Sequence, residues 1–255
     1  MATKMRTVLS CLTIAILSLR ADGSAAMDTP GLDANRVVGS VYGKSITATD
    51  IGLTGPIDTT VQYNATDKAR WDLQNRVAKA FATPIIERFV KNEKITATPA
   101  EIADFKKTCA AKTKQHLEEL EKDLVDTQQR LAAKDLSAEE RASLEKKKEL
   151  LERTTAQMRK SGSGEPPDAI AQQMIVAWKT ERELKRKYGG RVIFQQFGLE
   201  ALDGRRLLYE EAEKNGDLKF DDPGVRWVFY YYSKMRHTPA DEKRLEKPWF
   251  FSKEG

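Results

Sequence analysis

Helical periodicity dominates the middle of the chain. Between residues 67 and 92, apolar residues recur every four positions, which places them on one face of a helix. The repeat consists of Leu73, Val77, Phe81, Ile85 and Phe89. The pattern therefore predicts one long helix over 67–92. We expect Pro84 to kink or divide this helix, because proline lacks the N–H needed for a hydrogen bond in a helix interior.

Two helix-start signals lie in a charged segment over residues 98–160. Thr98-Pro99-Ala100-Glu101 and Ser137-Ala138-Glu139-Glu140 both have the spacing of a capping box, and the chain is expected to turn near 133–135. The apolar positions form a thin stripe, and the other faces carry Lys, Glu and Arg. This pattern predicts two antiparallel helices that pack only on each other and project as an arm. A solvated spacer or a single long helix is the alternative.

The last third of the chain is rich in aromatic residues and again reads as helical. We expect Asp168 to cap one helix, residues 199–215 to form another, and Pro223 to open the last. Residues 191–197 are apolar and β-prone, which predicts a short strand or a packed extended segment. Most of the aromatic rings should belong to the core.

A short β-rich stretch precedes all of these helices. Residues 36–46 predict a hairpin whose turn lies at Gly43-Lys44, followed by a short helix that contains Asp50-Ile51. The expected fold class is therefore mainly α. It combines a small N-terminal β-hairpin, a projecting antiparallel helical hairpin arm and a C-terminal helical segment.

The first 26 residues have the order of a secretory signal peptide. Lys4 and Arg6 give a positive start, residues 7–19 are apolar, and Ser24 and Ala26 supply small residues before a cut after position 26. An uncleaved anchor, a cut after Gly23 and a lipoprotein site at Cys11 are the alternatives. The order predicts a periplasmic or secreted protein that is not inserted in the membrane after cleavage.

Four zones follow the predicted signal peptide. They are a hairpin and long helix over 27–97, the arm over 98–160, a linker over 161–167, and the aromatic-rich region over 168–255. Loss of three basic residues and one acid with residues 1–26 lowers the net charge from +5 to +3. Both signs are interspersed along the remaining chain, so the charge does not indicate nucleic-acid binding.

Few residues of the chain suit metal or covalent chemistry. The whole sequence has two histidines and two cysteines, so we expect no metal and no cofactor. After removal of the signal peptide, Cys109 is the only thiol, either buried or available for an intermolecular disulfide. Residues 39–45 look like a phosphate-binding loop but have three residues between the glycines where the motif needs four. No catalytic motif is found, and enzymatic activity is not indicated.

The front of the predicted mature chain resembles a known chaperone family. Val37-Val38-Gly39-Ser40-Val41-Tyr42-Gly43-Lys44-Ser45-Ile46-Thr47, followed by Asp50-Ile51, is similar to the opening of periplasmic folding factors of the SurA and trigger-factor type. Residues 76–102 are similar to the helix and turn that follow in that family. The likeness covers roughly residues 36–110. No stretch resembles the parvulin prolyl-isomerase domain that often follows there.

The resemblance implies a helical chaperone module that holds unfolded or partner polypeptides without catalysis. The aromatic residues that we expect to contact such a client are Trp71, Phe81, Phe89, Phe105, Trp178 and Trp227. A structural or adaptor protein that binds a partner through the arm is one alternative, and a peptidyl-prolyl isomerase is another. The sequence leaves the oligomeric state open.

Overall fold

The computed structural model describes residues 33–60, 68–160, 162, 164–195 and 198–248. The predicted signal peptide lies outside the described residues, as do two residues of the predicted linker and the aromatic residues at 249–251. The described residues are 65% helical and carry a small antiparallel sheet, which confirms the mainly α class. The described residues divide into two units. One contains residues 97–175, and the other joins 33–96 to 176–247.

The unit of residues 97–175 is built on a helical hairpin, as the capping boxes predict. Helix α2 spans Pro99–Leu131 and helix α3 spans Ala138–Lys160. The two helices pack on each other along their length, and Arg159 pairs with Glu121 at 2.7 Å. The break between them excludes the single long helix.

Side-chain caps fix the N-termini of both helices of this hairpin. At the start of α2, the Thr98 hydroxyl accepts from the backbone N–H of Glu101, and the Glu101 carboxylate accepts from the N–H of Thr98. Ser137 and Glu140 make the same reciprocal pair before α3. Each pair satisfies two N–H groups that have no partner inside the helix.

The other unit begins with helix α1 and a three-stranded sheet. Strands β1 (Val37–Val41) and β2 (Lys44–Thr47) form the predicted hairpin, and α1 spans Lys68–Asn92. The turn lies at Tyr42-Gly43, not at Gly43-Lys44, since both residues have positive φ, of 51° and 77°. Two consecutive residues with positive φ are typical of the two-residue turn whose backbone twist matches that of the flanking strands.

Pro84 does not divide α1, so that part of the prediction is wrong. The helix is one element on both sides of the proline. Phe81 and Ile85, which flank it, are 0% and 1% exposed and belong to one apolar core. Burial of large side chains on both sides is worth more than the single backbone hydrogen bond that the proline removes.

Helix α4 spans Asp168–Tyr188, and the division between the units falls within it. Asp168 is its first helical residue and not its cap, because the carbonyl of Pro167 accepts the first helical hydrogen bonds, from Ile170 and Ala171. The Asp168 carboxylate instead pairs with Lys106 at 2.7 Å.

The remaining elements complete the second unit. Strands β3 (Ile193–Gln195) and β4 (Gly198–Glu200) form a two-stranded antiparallel sheet. Helix α5 covers Leu202–Lys214, so it starts three residues later than predicted. Helix α6 begins at Pro223, as predicted, and ends at Lys234. A strand that the sequence did not indicate, β5 (Leu218–Phe220), pairs with β1.

Strand β5 determines how the second unit is assembled. The sheet order is β2-β1-β5, so residues from near both ends of the described chain share one sheet. The core beneath it combines α1, α4, α5 and α6 with the strands. Its most buried large side chains are Val38, Ile51, Val77, Phe81, Ile85, Leu184, Leu218 and Val225.

Candidate functional site

Most of the predicted client-contacting residues are buried. On α1, Phe81 is 0% exposed, and its ring centroid lies 4.9 Å from that of Phe220. Phe89 is also buried, and the Lys187 Nζ lies 5.5 Å from its ring centre. On α2, Phe105 is buried within the other unit. These three rings therefore contribute to cores in the described conformation.

The three tryptophans lie in the unit that contains the sheet, with different exposure. Trp178 on α4 is buried, and its Nε1 donates to the carbonyl of Leu245 at 2.9 Å. Trp227 on α6 is half-buried, with its ring 4.7 Å from that of Tyr231. Trp71 is half-buried in the first turn of α1. The six predicted residues thus do not form one common surface.

The helical hairpin leaves apolar side chains partly exposed along its length. Few of its side chains are fully buried, and two of these are the threonines Thr127 and Thr155. Val125 on α2 is 51% exposed and Leu150 on α3 is 41% exposed. Further apolar side chains are half-buried: Ile102, Leu117, Leu124, Leu131 and Met158. Two helices alone therefore do not cover the apolar residues that they carry.

A charged cluster that sequence reasoning missed lies in the other unit. Glu181 on α4 is 4% exposed. Its carboxylate accepts from the backbone N–H of Ala201 at 2.9 Å and from Nε of Arg205 at 2.8 Å, and Nη2 of Arg205 forms a further short contact with it. A second carboxylate, Glu200, lies 3.7 Å from Nε of Arg205. Two carboxylates thus share one guanidinium.

Burial shifts the protonation of this cluster. Desolvation raises the pKa of Glu200, and the charge of Arg205 offsets this only in part. Desolvation likewise raises the pKa of Tyr209 and of Tyr232, whose hydroxyls share this environment. Clusters of titratable groups with shifted pKa values occur at functional sites, but they also occur in structural ion-pair networks.

The sequence contains one signal that points to this cluster, the position of Glu181 in the apolar pattern of α4. The buried stripe of α4 contains Ala171, Ile175, Trp178 and Leu184. Glu181 follows Trp178 by three residues and precedes Leu184 by three, so it occupies a position where the periodicity expects an apolar residue. A carboxylate there requires a buried partner. Nothing in the spacing identifies that partner as Arg205, which lies in another helix.

Two open surface depressions carry charged side chains. One, of about 370 Å³, lies between the end of α1 and α4 and is lined by Glu93, Lys94, Lys179, Arg182, Glu183 and Arg186. The other, of about 330 Å³, lies on α2 beside Ala103, Lys106 and Ala110. Both are open to solvent and carry several charged side chains, whereas pockets for small organic ligands are enclosed and have few polar groups.

The described residues carry neither a metal-ion site nor a membrane-spanning helix. Within them, no group of three or more His, Cys, Asp or Glu side chains is placed to hold a metal ion. None of the helices in this part of the chain has both the length and the apolar character that crossing a bilayer requires. Cys109 is half-buried on α2.

The chain matches no protein-family model, no curated protein and no solved structure.

Proposed function

We propose that the protein is an exported, chaperone-like protein that holds unfolded polypeptides without catalysis, with the α2–α3 hairpin as its binding limb. The observation that carries the proposal is the apolar surface that the hairpin leaves partly exposed. Val125 and Leu150 are the two most exposed large apolar side chains of this limb. Apolar area open to water favours association with apolar segments of other chains.

The chemistry of this surface suits varied clients better than one small ligand. Its half-buried members are leucines, an isoleucine and a methionine, and the non-directional apolar contacts that they offer can serve different partners. Charged residues of both signs surround them, as at Lys148 and Glu152, which pair at 3.6 Å. Such a rim keeps the free protein soluble while it leaves the apolar stripe accessible.

An aggregation assay with the full chain tests this proposal. A chemically denatured model enzyme is diluted into buffer with the wild type or with the double variant Val125→Asp/Leu150→Asp. We expect the wild type to suppress light scattering and the double variant to lose most of this effect, because each substitution replaces an exposed apolar side chain of the hairpin with a charge. The matched control is Gln129→Asp/Ser143→Asp, which adds the same charges at exposed polar positions of the same helices.

The alternatives give different results in the same set of assays. An adaptor would not suppress aggregation of the denatured enzyme, and its binding to one folded partner would still be lost in the Val125→Asp/Leu150→Asp variant. A peptidyl-prolyl isomerase would catalyse turnover of a proline peptide. Equal suppression by the wild type and by both double variants would show that the hairpin is not the binding limb.

A further inference from the structure

The depression between the end of α1 and α4 carries more positive than negative charge. It lies entirely within the unit that contains the sheet. Its charged lining consists of four cations and two carboxylates, namely Lys94, Lys179, Arg182 and Arg186 against Glu93 and Glu183. Its volume of about 370 Å³ is sufficient for a small organic ion.

Both carboxylates of this depression already have cationic partners. Glu93 pairs with Lys187 of α4 at 3.1 Å. Glu183 accepts from Nε of Arg186, with its two oxygens at 2.8 and 3.0 Å. The pKa of Glu183 is lowered, first by its hydrogen bonds with Arg186 and further by surrounding positive charges that include Arg182. The positive charge of the depression therefore exceeds what its own carboxylates neutralise.

Arg182 is held in place by a contact that uses none of its hydrogen-bond donors on an oxygen. Its guanidinium carbon lies 4.6 Å from the ring centre of Trp178. That ring is itself fixed, because it is buried and its Nε1 donates to the carbonyl of Leu245. Among the described residues, no oxygen accepts from the Arg182 guanidinium and no carboxylate pairs with it. A positioned guanidinium with unused N–H donors is well suited to bind an oxyanion.

Lys94 lies in a backbone conformation that lysine rarely adopts. It follows the last residue of α1, Asn92, by two positions and has a φ of 52°. Glycine usually occupies such a left-handed position after a helix, because it has no Cβ to clash with the backbone. Within the described part of the chain, the exposed Lys94 side chain makes no hydrogen bond or ion pair that would offset this strain. Strain of this kind is concentrated at functional sites.

We propose that this depression binds a small polyanion through the Lys94 ammonium and the Arg182 guanidinium. Carboxylate and phosphate groups share the required chemistry, since their charged oxygens accept strong hydrogen bonds from both kinds of cation. A ligand with two or more such groups can contact both cations at once. Lys179 donates to the carbonyl of Thr96 at 2.7 Å, which holds a third cation at the same depression.

Isothermal titration calorimetry on the full chain tests this proposal, with citrate and inorganic pyrophosphate as the two probes. The titrations are carried out at physiological ionic strength, where attraction over more than about 8 Å is largely screened. We expect the wild type to bind at least one probe, and the probe that binds more tightly distinguishes carboxylates from phosphates as the preferred groups. Arg182→Gln should weaken binding about tenfold or more, the usual loss for one charge-assisted hydrogen bond.

Lys94→Gly separates binding from folding. It removes the ammonium and relieves the backbone strain, so we expect binding about tenfold weaker and a urea midpoint no lower than that of the wild type. The matched control is Lys91→Gln, which removes an exposed cation in the last turn of α1 that does not line the depression. This control should change the dissociation constant by less than about twofold.

Three results would contradict a binding site here. The first is a wild type that binds neither probe. The second is an equal loss of affinity in Lys91→Gln and Arg182→Gln, because it would indicate diffuse attraction to a positively charged surface. If Arg182→Gln fails to fold, undiminished binding in Lys94→Gly is the third.

Discussion

Removal of the Glu181 carboxylate should be one of the most damaging single changes to the unit that contains the sheet. In Glu181→Ala, the guanidinium of Arg205 loses its principal partner, and the backbone N–H of Ala201 loses its acceptor. Glu181 is nearly inaccessible to water, so solvent cannot replace the lost contacts readily. The change therefore leaves two donors without their partner in a poorly hydrated site.

The structure sets the size of this effect. Breaking a buried ion pair by removing one partner costs about 3–5 kcal/mol. The Arg205 side chain is 33% exposed and keeps Glu200 at 3.7 Å, which lowers its share of the cost. The orphaned N–H of Ala201 adds about 1–3 kcal/mol. We therefore expect a loss of about 3 kcal/mol in the free energy of unfolding.

Urea denaturation followed by tryptophan fluorescence measures this loss, since Trp71, Trp178 and Trp227 all lie in that unit. The matched control is the double variant Glu181→Leu/Arg205→Met, which removes both charges and fills their volume. Such replacements are often neutral or stabilising, so the double variant should lie within about 1 kcal/mol of the wild type, apart from the Ala201 contribution and the cost of leaving Glu200 without its guanidinium. A loss below about 1 kcal/mol in Glu181→Ala would refute the reasoning.

Three other changes test the fold. In Gly39→Ala the new methyl group would meet the carbonyl of Lys219 and the ring of Phe81, so thermal denaturation should show a loss of at least about 2 kcal/mol, within the range for overpacked cores. Thr98→Ala removes the cap of α2 and should lower the stability of the hairpin by about 1 kcal/mol in urea. Deletion of 106–159 with a short turn should leave a cooperative thermal transition of the remaining chain, because the core cluster under the sheet contains no residue of the hairpin.

Local signals predicted the helices well because their causes lie within a few residues. The capping box at Thr98 and the one at Ser137 fix the starts of α2 and α3 through contacts three residues apart. The same is true of α6, where Asp222 accepts from the N–H groups of Gly224 and Val225. No distant residue has to be known for these predictions to hold.

Strand β5 and the charged cluster escaped prediction because each depends on a distant partner. Residues 218–220 are too few to show strand periodicity, and they become a strand by pairing with β1. Gly39, which looks like part of a failed phosphate loop in the sequence, has a structural role at that pairing: a side chain there would collide with Lys219. Glu181 similarly makes physical sense only once Arg205 and Ala201 are beside it.

The predicted client-contacting residues show why aromatic content alone is a weak guide to a binding surface. Large rings are selected both for cores and for interfaces, since burial of their area is favourable in either place. Phe81 satisfies that preference inside the chain, against Phe220 and Phe229. The aliphatic residues Val125 and Leu150, which the sequence did not distinguish from their neighbours, are among the large apolar side chains left exposed, together with Val37 and Phe194.

The composition of the hairpin seam connects its stability to the proposed activity. Thr127 and Thr155 occupy buried seam positions where leucine would bury more apolar area. Thr127 satisfies its hydroxyl on the carbonyl of Asp123 at 2.7 Å, whereas the Thr155 hydroxyl has no hydrogen-bond partner among the described residues. A seam of this kind holds two helices together but leaves part of the neighbouring apolar surface unburied.

A polypeptide that covers this unburied apolar surface would bind the folded hairpin and not its unfolded form. It would therefore stabilise the folded hairpin by mass action. A seam interrupted by two threonines thus suits a limb whose burial would be completed by a client.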